Sequence, residues 1–222
     1  MKVTIFGTCR LDSLNNYYYN NRIKNEISYT YDTKEILEVI KFIKYNHISP
    51  TETITTFRTP MIKKNPIYSR NFAGMFEKTD VFIIEICGKK TYKYNNFFVH
   101  SALLDFSDES TRQNIIINEQ NDEEIENDIL NIIHELNTKK IVIVGHIVTD
   151  DKSERYKLSN LLENLCFKHN LLFINPAFEI QKRGFNITDL VNNDKKIIHY
   201  NDNGHKVMKA IYEEFLNLCY NK

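Results

Sequence analysis

Val3-Thr4-Ile5-Phe6 is a short apolar, β-branched run that Gly7 interrupts, the pattern of a buried strand. Two longer runs, Asp80 to Ile86 and Lys140 to His146, are nearly continuous in apolar residues, as strands covered on both faces of a parallel sheet are. Ile27 to Tyr31 alternates and predicts a second strand, and Leu171 to Ile174 predicts the last one, stopped by Asn175-Pro176. Between these runs the period becomes helical. Asp32 with Glu35 forms a capping-box pattern ahead of Ile36, Leu37, Val39, Ile40, Phe42 and Ile43. Asn121 with Glu124 does the same ahead of Ile125, Ile129, Ile132 and Leu136. A third helix is predicted from about Ser153 to His169, and a last one after Tyr200 to His205, with Val207, Met208, Ile211, Phe215 and Leu216 on one face. Strands alternating with helices imply right-handed β-α-β units and a parallel sheet with helices on both sides.

Three stretches have no period. Leu11 to Ile23, with its Asn- and Tyr-rich patch at 15–21, reads as a short helix running into a loop. Residues 50–78 hold three of the four prolines with Arg58 and Arg70, and read as a long loop or excursion over the sheet. Residues 92–120 are mixed. With no repeat and no linker composition, the chain reads as one domain over residues 1–222.

Composition narrows the classes. The 29 basic and 29 acidic residues balance, which removes the bulk electrostatic case for nucleic acid or an anionic membrane. No apolar run is long enough to span a bilayer, and the N-terminus lacks the pattern of a signal peptide. Cys9, Cys87, Cys166 and Cys219 are widely spaced, against a zinc site or a disulfide framework. The expectation is a cytoplasmic protein with no metal.

Candidate chemistry gathers at the ends of the chain. Cys9 and Arg10 follow the first strand on a turn, where free N–H groups and a guanidinium favour a thiolate. A nucleophile there needs a base, and Asp202-Asn203-Gly204-His205 ahead of the last helix offers His205, with Asp202 to orient it. Plainer readings stand beside this one: Cys9 as a small buried residue at a strand end, and Asp202 as a helix N-cap. His146 is a rival base or a structural hydrogen-bonding group. Cys87 has no motif that places a base near it, and Cys166 and Cys219 read as core.

The Gly7-Thr8-Cys9 turn and the Asp202-x-x-His205 tetrad together resemble the SGNH, or GDSL-like, hydrolase superfamily, with Cys in the serine position. The branch with such a cysteine includes enzymes that look like polysaccharide acetyltransferases. The resemblance implies a three-layer, flavodoxin-like α/β fold with a five-stranded parallel sheet, and acyl transfer or ester or thioester hydrolysis through Cys9, His205 and Asp202. It implies a small-molecule or carbohydrate substrate, no required cofactor, and a coenzyme A thioester as a candidate donor. Cys87-Gly88-Lys89-Lys90 stands where the family has an oxyanion-binding Asn, so backbone N–H groups near Cys9 and Gly88 are the candidate donors. Arg10, Arg58 and Lys89, with Lys90, are candidate contacts for an anionic substrate group. The alternative from another class is a non-catalytic relative that binds a sugar or a nucleotide-linked ligand.

Overall fold

The computed structural model describes residues 1–14, 21–137, 139–192 and 198–220. From the N-terminus, β1 (Val3–Phe6) leads through a 3-10 turn (Cys9–Leu14) to helices α1 (Asn21–Glu26) and α2 (Thr33–Tyr45). Three short helices follow, α3 (Thr53–Thr56), α4 (Arg58–Lys63) and α5 (Arg70–Glu77). Strand β2 (Val81–Ile86) precedes β3 (Lys90–Tyr94), β4 (Phe97–Phe98), α6 (Leu103–Phe106), α7 (Glu109–Gln113) and β5 (Ile116–Glu119). Next come α8 (Asp122–Leu136), β6 (Lys140–Gly145), α9 (Glu154–Lys168), β7 (Leu172–Ile174) and α10 (Pro176–Lys182). Strands β8 (Val191–Asn192) and β9 (His199–Tyr200) then lead into α11 (Asp202–Tyr220).

Strands β1, β2, β6 and β7 form a four-stranded parallel sheet in that order. Each new strand is added on the same side, so right-handed crossovers place every crossover helix on one face. Alternate strand residues serve the two faces. Phe6, Phe82, Ile84, Ile141 and Ile143 pack under α1, α2, α5, α8 and α9. The opposite face, built on Val3, Ile5, Ile83, Val142 and Val144, is covered by the 3-10 turn, α10 and the returning α11. The result is the expected three-layer α/β arrangement.

Four strands stand where five were expected, because Ile27 to Tyr31 forms no ladder. Ser28 meets β1 at Gly7 N–H (3.1 Å) and, through its hydroxyl, at Ile5 O (2.7 Å). Two residues further on from Tyr29, Tyr31 O already accepts from Cys87 N–H at the end of β2 (2.9 Å). The segment therefore crosses the carboxyl ends of the strands instead of extending the sheet. Residues 50–78 are not one long loop, since they contain α3, α4 and α5. The mixed stretch folds as an antiparallel sheet of order β4-β3-β5, against a small core of Met61, Val99, Leu103 and Ile115. Of the Asn- and Tyr-rich patch at 15–21, residues 15–20 lie outside the described residues, and Asn21 opens α1. Among the described residues, no helix is long and apolar enough to cross a membrane.

Candidate active site

The turn after β1 is held from below by a buried carboxylate. Glu85 on β2 accepts from both Thr8 N–H (2.8 Å) and the Thr8 hydroxyl (2.6 Å). Arg10 Nη1 donates to Thr8 Oγ1 (2.6 Å) and lies 3.7 Å from Glu85 Oε1, with both side chains almost fully buried. Gly7 makes this approach feasible: its φ is +145°, and a Cβ there would lie 2.7 Å from Glu85 Cβ. The charge of Arg10, an expected substrate contact, is met by Glu85, although the side chain still forms part of a cleft wall.

Cys9 stands half-buried at the head of the 3-10 turn. Its Sγ is 3.1 Å from Nδ1 of His199, and its N–H donates to the Tyr29 hydroxyl at a long 3.4 Å. The Arg58 guanidinium stacks on the Tyr29 ring at 4.1 Å. His100 approaches the same ring edge-on (5.9 Å) and is kept neutral, its pKa pushed down to about 3 by burial and by Arg58. Burial and the Cys9 sulfur keep the Tyr29 phenol protonated, well above its ordinary range. Arg58 thus reaches the site through Tyr29.

The expected pairing of Cys9 with His205 is not the one observed. His205 Nδ1 is 3.1 Å from Ser13 Oγ, one helical turn along from Cys9, and its ring packs on Tyr200. Burial lowers its pKa, with Asp12 and Asp202 working against that shift. Asp202 is an exposed first residue of α11, whose start is capped by Asn201, with Oδ1 accepting Gly204 N–H (2.9 Å). The imidazole that does reach Cys9, His199, is marked by no motif in the sequence. It lies on a two-residue strand with no period of its own, six positions before the histidine that the tetrad singles out. In the structure Tyr200 is buried in the core, and alternation turns its neighbour His199 away from that core towards Cys9.

A glycine seats this hairpin. A Cβ at Gly204 would collide with the Leu190 carbonyl and press on Tyr200, so a side chain there would lift α11 from the β8–β9 pair. His146, the rival base, is buried and held neutral, well below its ordinary range, first by burial and then by Arg10 and Arg155; its Nδ1 faces Ile147 O. Burial likewise pushes the Cys87 thiol well up. Gly88 lies against the Tyr31 ring, and Lys89 is paired with Asp122 (2.6 Å). Both line a cleft of about 560 Å³ with Arg10 and Arg155. Among the described residues, no group of three or more His, Cys, Asp or Glu side chains is placed to hold a metal ion.

Residues 1–107 match the family model of the TviD N-terminal domain, a span that includes Cys9, Arg58 and Gly88 but not His199. A comparison with curated proteins gave no significant match. Similar solved structures include two variants of an acetylxylan (acetyl-xylooligosaccharide) esterase from Geobacillus stearothermophilus. These are 12% and 11% identical, each with a TM-score of 0.45 over 95% of this chain and 91% of that one. A lipase/acylhydrolase from Enterococcus faecalis is 14% identical, with a TM-score of 0.43 over 95% of this chain and 92% of that one.

Proposed function

We propose that the protein transfers or hydrolyses acyl groups through Cys9 as nucleophile and His199 as its base. The observation that carries this reading is the 3.1 Å contact between Cys9 Sγ and His199 Nδ1. For Nδ1 to accept the thiol proton, neutral His199 carries its own proton on Nε2. The thiolate adds to the acyl carbonyl, and the tetrahedral oxyanion collapses as the leaving alcohol or thiol takes the proton back from the imidazolium. A thioester on Cys9 remains. Water, or a hydroxyl of a carbohydrate acceptor, then adds to the thioester with His199 again taking its proton, and Cys9 is regenerated.

The Tyr29 hydroxyl and the Cys9 N–H, only weakly engaged with each other at 3.4 Å, are the proposed oxyanion donors, in place of the missing side-chain amide. Arg58, stacked on Tyr29, positions that phenol. A coenzyme A thioester suits this site as donor, since exchange between thioesters is nearly balanced in energy. The likeness of the Gly7-Thr8-Cys9 turn to the cysteine-bearing branch of the SGNH-like superfamily supports transfer to a sugar as the reaction. Asp202 and His205, the pair expected to complete a triad, are assigned instead to the start of α11 and its contact with Ser13.

The rate of Cys9 alkylation at a fixed neutral pH, followed by peptide mass spectrometry, tests the pair without a substrate. Cys9 should react severalfold faster in wild type than in His199→Ala, because the imidazole 3.1 Å away takes the thiol proton. His205→Ala should change the rate less. Equal rates in wild type and His199→Ala would sink the assignment.

A further inference from the structure

Two grooves flank the first turns of α9 at the carboxyl ends of the strands, and they carry opposite charge. One, of about 420 Å³, is lined by Asp150, Asp151 and Glu163 with no cation among its described lining residues. The other, of about 560 Å³, is lined by Arg10, Lys89, Lys90 and Arg155, with Glu119 and Glu154 as its carboxylates. Their charges are not equally available. Arg10 is met by Glu85, Lys89 by Asp122, and Glu154 by Lys157.

Arg155 is different. It is half-buried, and among the described residues no carboxylate lies within ion-pair distance of it. Its Nη2 donates to the Tyr31 hydroxyl (3.2 Å), which fixes the planar guanidinium at the cleft wall. Tyr31 is itself fixed: its carbonyl accepts from Cys87 N–H, and its ring lies where a Cβ on Gly88 would be only 2.5 Å away. The field of Arg155 and Arg10 reaches inward far enough to help hold His146 neutral. A fixed guanidinium with no carboxylate in ion-pair range among the described residues, lining one cleft with the exposed Lys90 and with Arg10, is built to receive a planar or tetrahedral oxyanion.

The geometry points to this cleft as the binding site for a phosphate or carboxylate group on the substrate whose acyl group passes through Cys9, with Arg155 as its main contact and Lys90 as the second. The catalytic part of this statement rests on the Cys9–His199 reading; the binding part does not. Two measurements separate them. Inorganic pyrophosphate and glucuronate are titrated calorimetrically into wild type, Arg155→Gln and Arg155→Lys. Turnover is compared for neutral 4-nitrophenyl acetate, for acetyl-coenzyme A and for an O-acetylated glucuronate.

Wild type should bind one of the two anions at least tenfold more tightly than Arg155→Gln, with partial recovery in Arg155→Lys. In Arg155→Gln, the ratio of kcat/KM for the anionic donor to that for the neutral ester should fall at least tenfold. Effects confined to pyrophosphate and acetyl-coenzyme A identify the group as phosphate. Effects confined to the glucuronates identify it as carboxylate. Equal binding by wild type and Arg155→Gln, or equal loss on neutral and anionic esters, overturns the assignment. If no ester turns over but anion binding still depends on Arg155, the Cys9 reading fails and the cleft assignment stands.

Discussion

Glu85 sits inside a parallel sheet at 1% side-chain exposure, where an ionised carboxylate survives only if its partners replace water. Thr8 and Arg10 provide that replacement, and in return the carboxylate shapes the turn that presents Cys9. Removing one member of a buried ion pair leaves the other stranded, at about 3–5 kcal/mol. Glu85→Ala should therefore destabilise the fold by about that much, and Glu85→Gln by less, because its amide oxygen can still accept from Thr8. Urea denaturation measures both; a Glu85→Ala protein as stable as wild type would mean that the knot does not hold the turn. Residue by residue, the sequence was legible where local chemistry shows itself. Gly7 ending a strand and Cys9 following it needed no distant partner. The Glu85–Arg10 pair and the His199–Cys9 contact join positions 75 and 190 residues apart, and no local pattern encodes such a meeting.

Helix α2 shows what an element does with its own first turn. Asp32 caps it by accepting from Lys34 N–H (2.9 Å) and Glu35 N–H (3.0 Å), while Glu35 accepts from Tyr31 N–H (2.7 Å). Both carboxyl groups are buried, and one oxygen of each, Asp32 Oδ2 and Glu35 Oε1, has no hydrogen-bond partner among the described residues. Burial raises the Asp32 pKa to about 7 from its ordinary 3.8, with Asp128 adding to the shift and the capping N–H groups and Lys34 opposing it. Burial and the neighbouring Asp32 raise Glu35 as well. A carboxyl group whose folded pKa is raised binds its proton more tightly folded than unfolded. Its stabilising contribution is therefore full below about pH 3.8 and is lost as pH rises through about 7. Asp32→Asn keeps an N-cap acceptor but cannot ionise, so its stability should fall less than that of wild type between pH 4 and 7. Parallel stability curves from chemical denaturation across that range would refute the assignment. The caps and long apolar faces that made α2, α8, α9 and α11 legible are absent elsewhere. Helices α3 to α5 are too short to show a period, and the β4-β3-β5 sheet leaves Ile116 and Ile117 exposed, so no buried face marks it.

At the scale of the whole molecule, the one-way strand order divides the protein into two cores with unequal duties. The crossover helices form one core, which holds more of the buried apolar residues and meets the site where Ile27 and Phe57 flank Tyr29 and Arg58. The other core joins α11 to Leu11 and Leu14 of the 3-10 turn and to Tyr200, the neighbour of His199. Both halves of the proposed nucleophile–base pair thus rest on the returning helix, although Cys9 and His199 come from opposite ends of the chain. Ile211 on α11 and Ile132 on α8 are equally buried, so truncating either to Ala should cost a similar amount, about 2–5 kcal/mol. Their effects on the site should differ. Under conditions where both variants remain folded, Ile211→Ala should change the Cys9 alkylation rate severalfold, because the 3-10 turn and the β8–β9 hairpin lose a common support. Ile132→Ala should leave that rate near the wild-type value. Denaturation midpoints and alkylation rates measured on the same samples decide the matter. Equal effects on Cys9 would mean that the two cores act as one, and that α11 has no special part in holding the pair together.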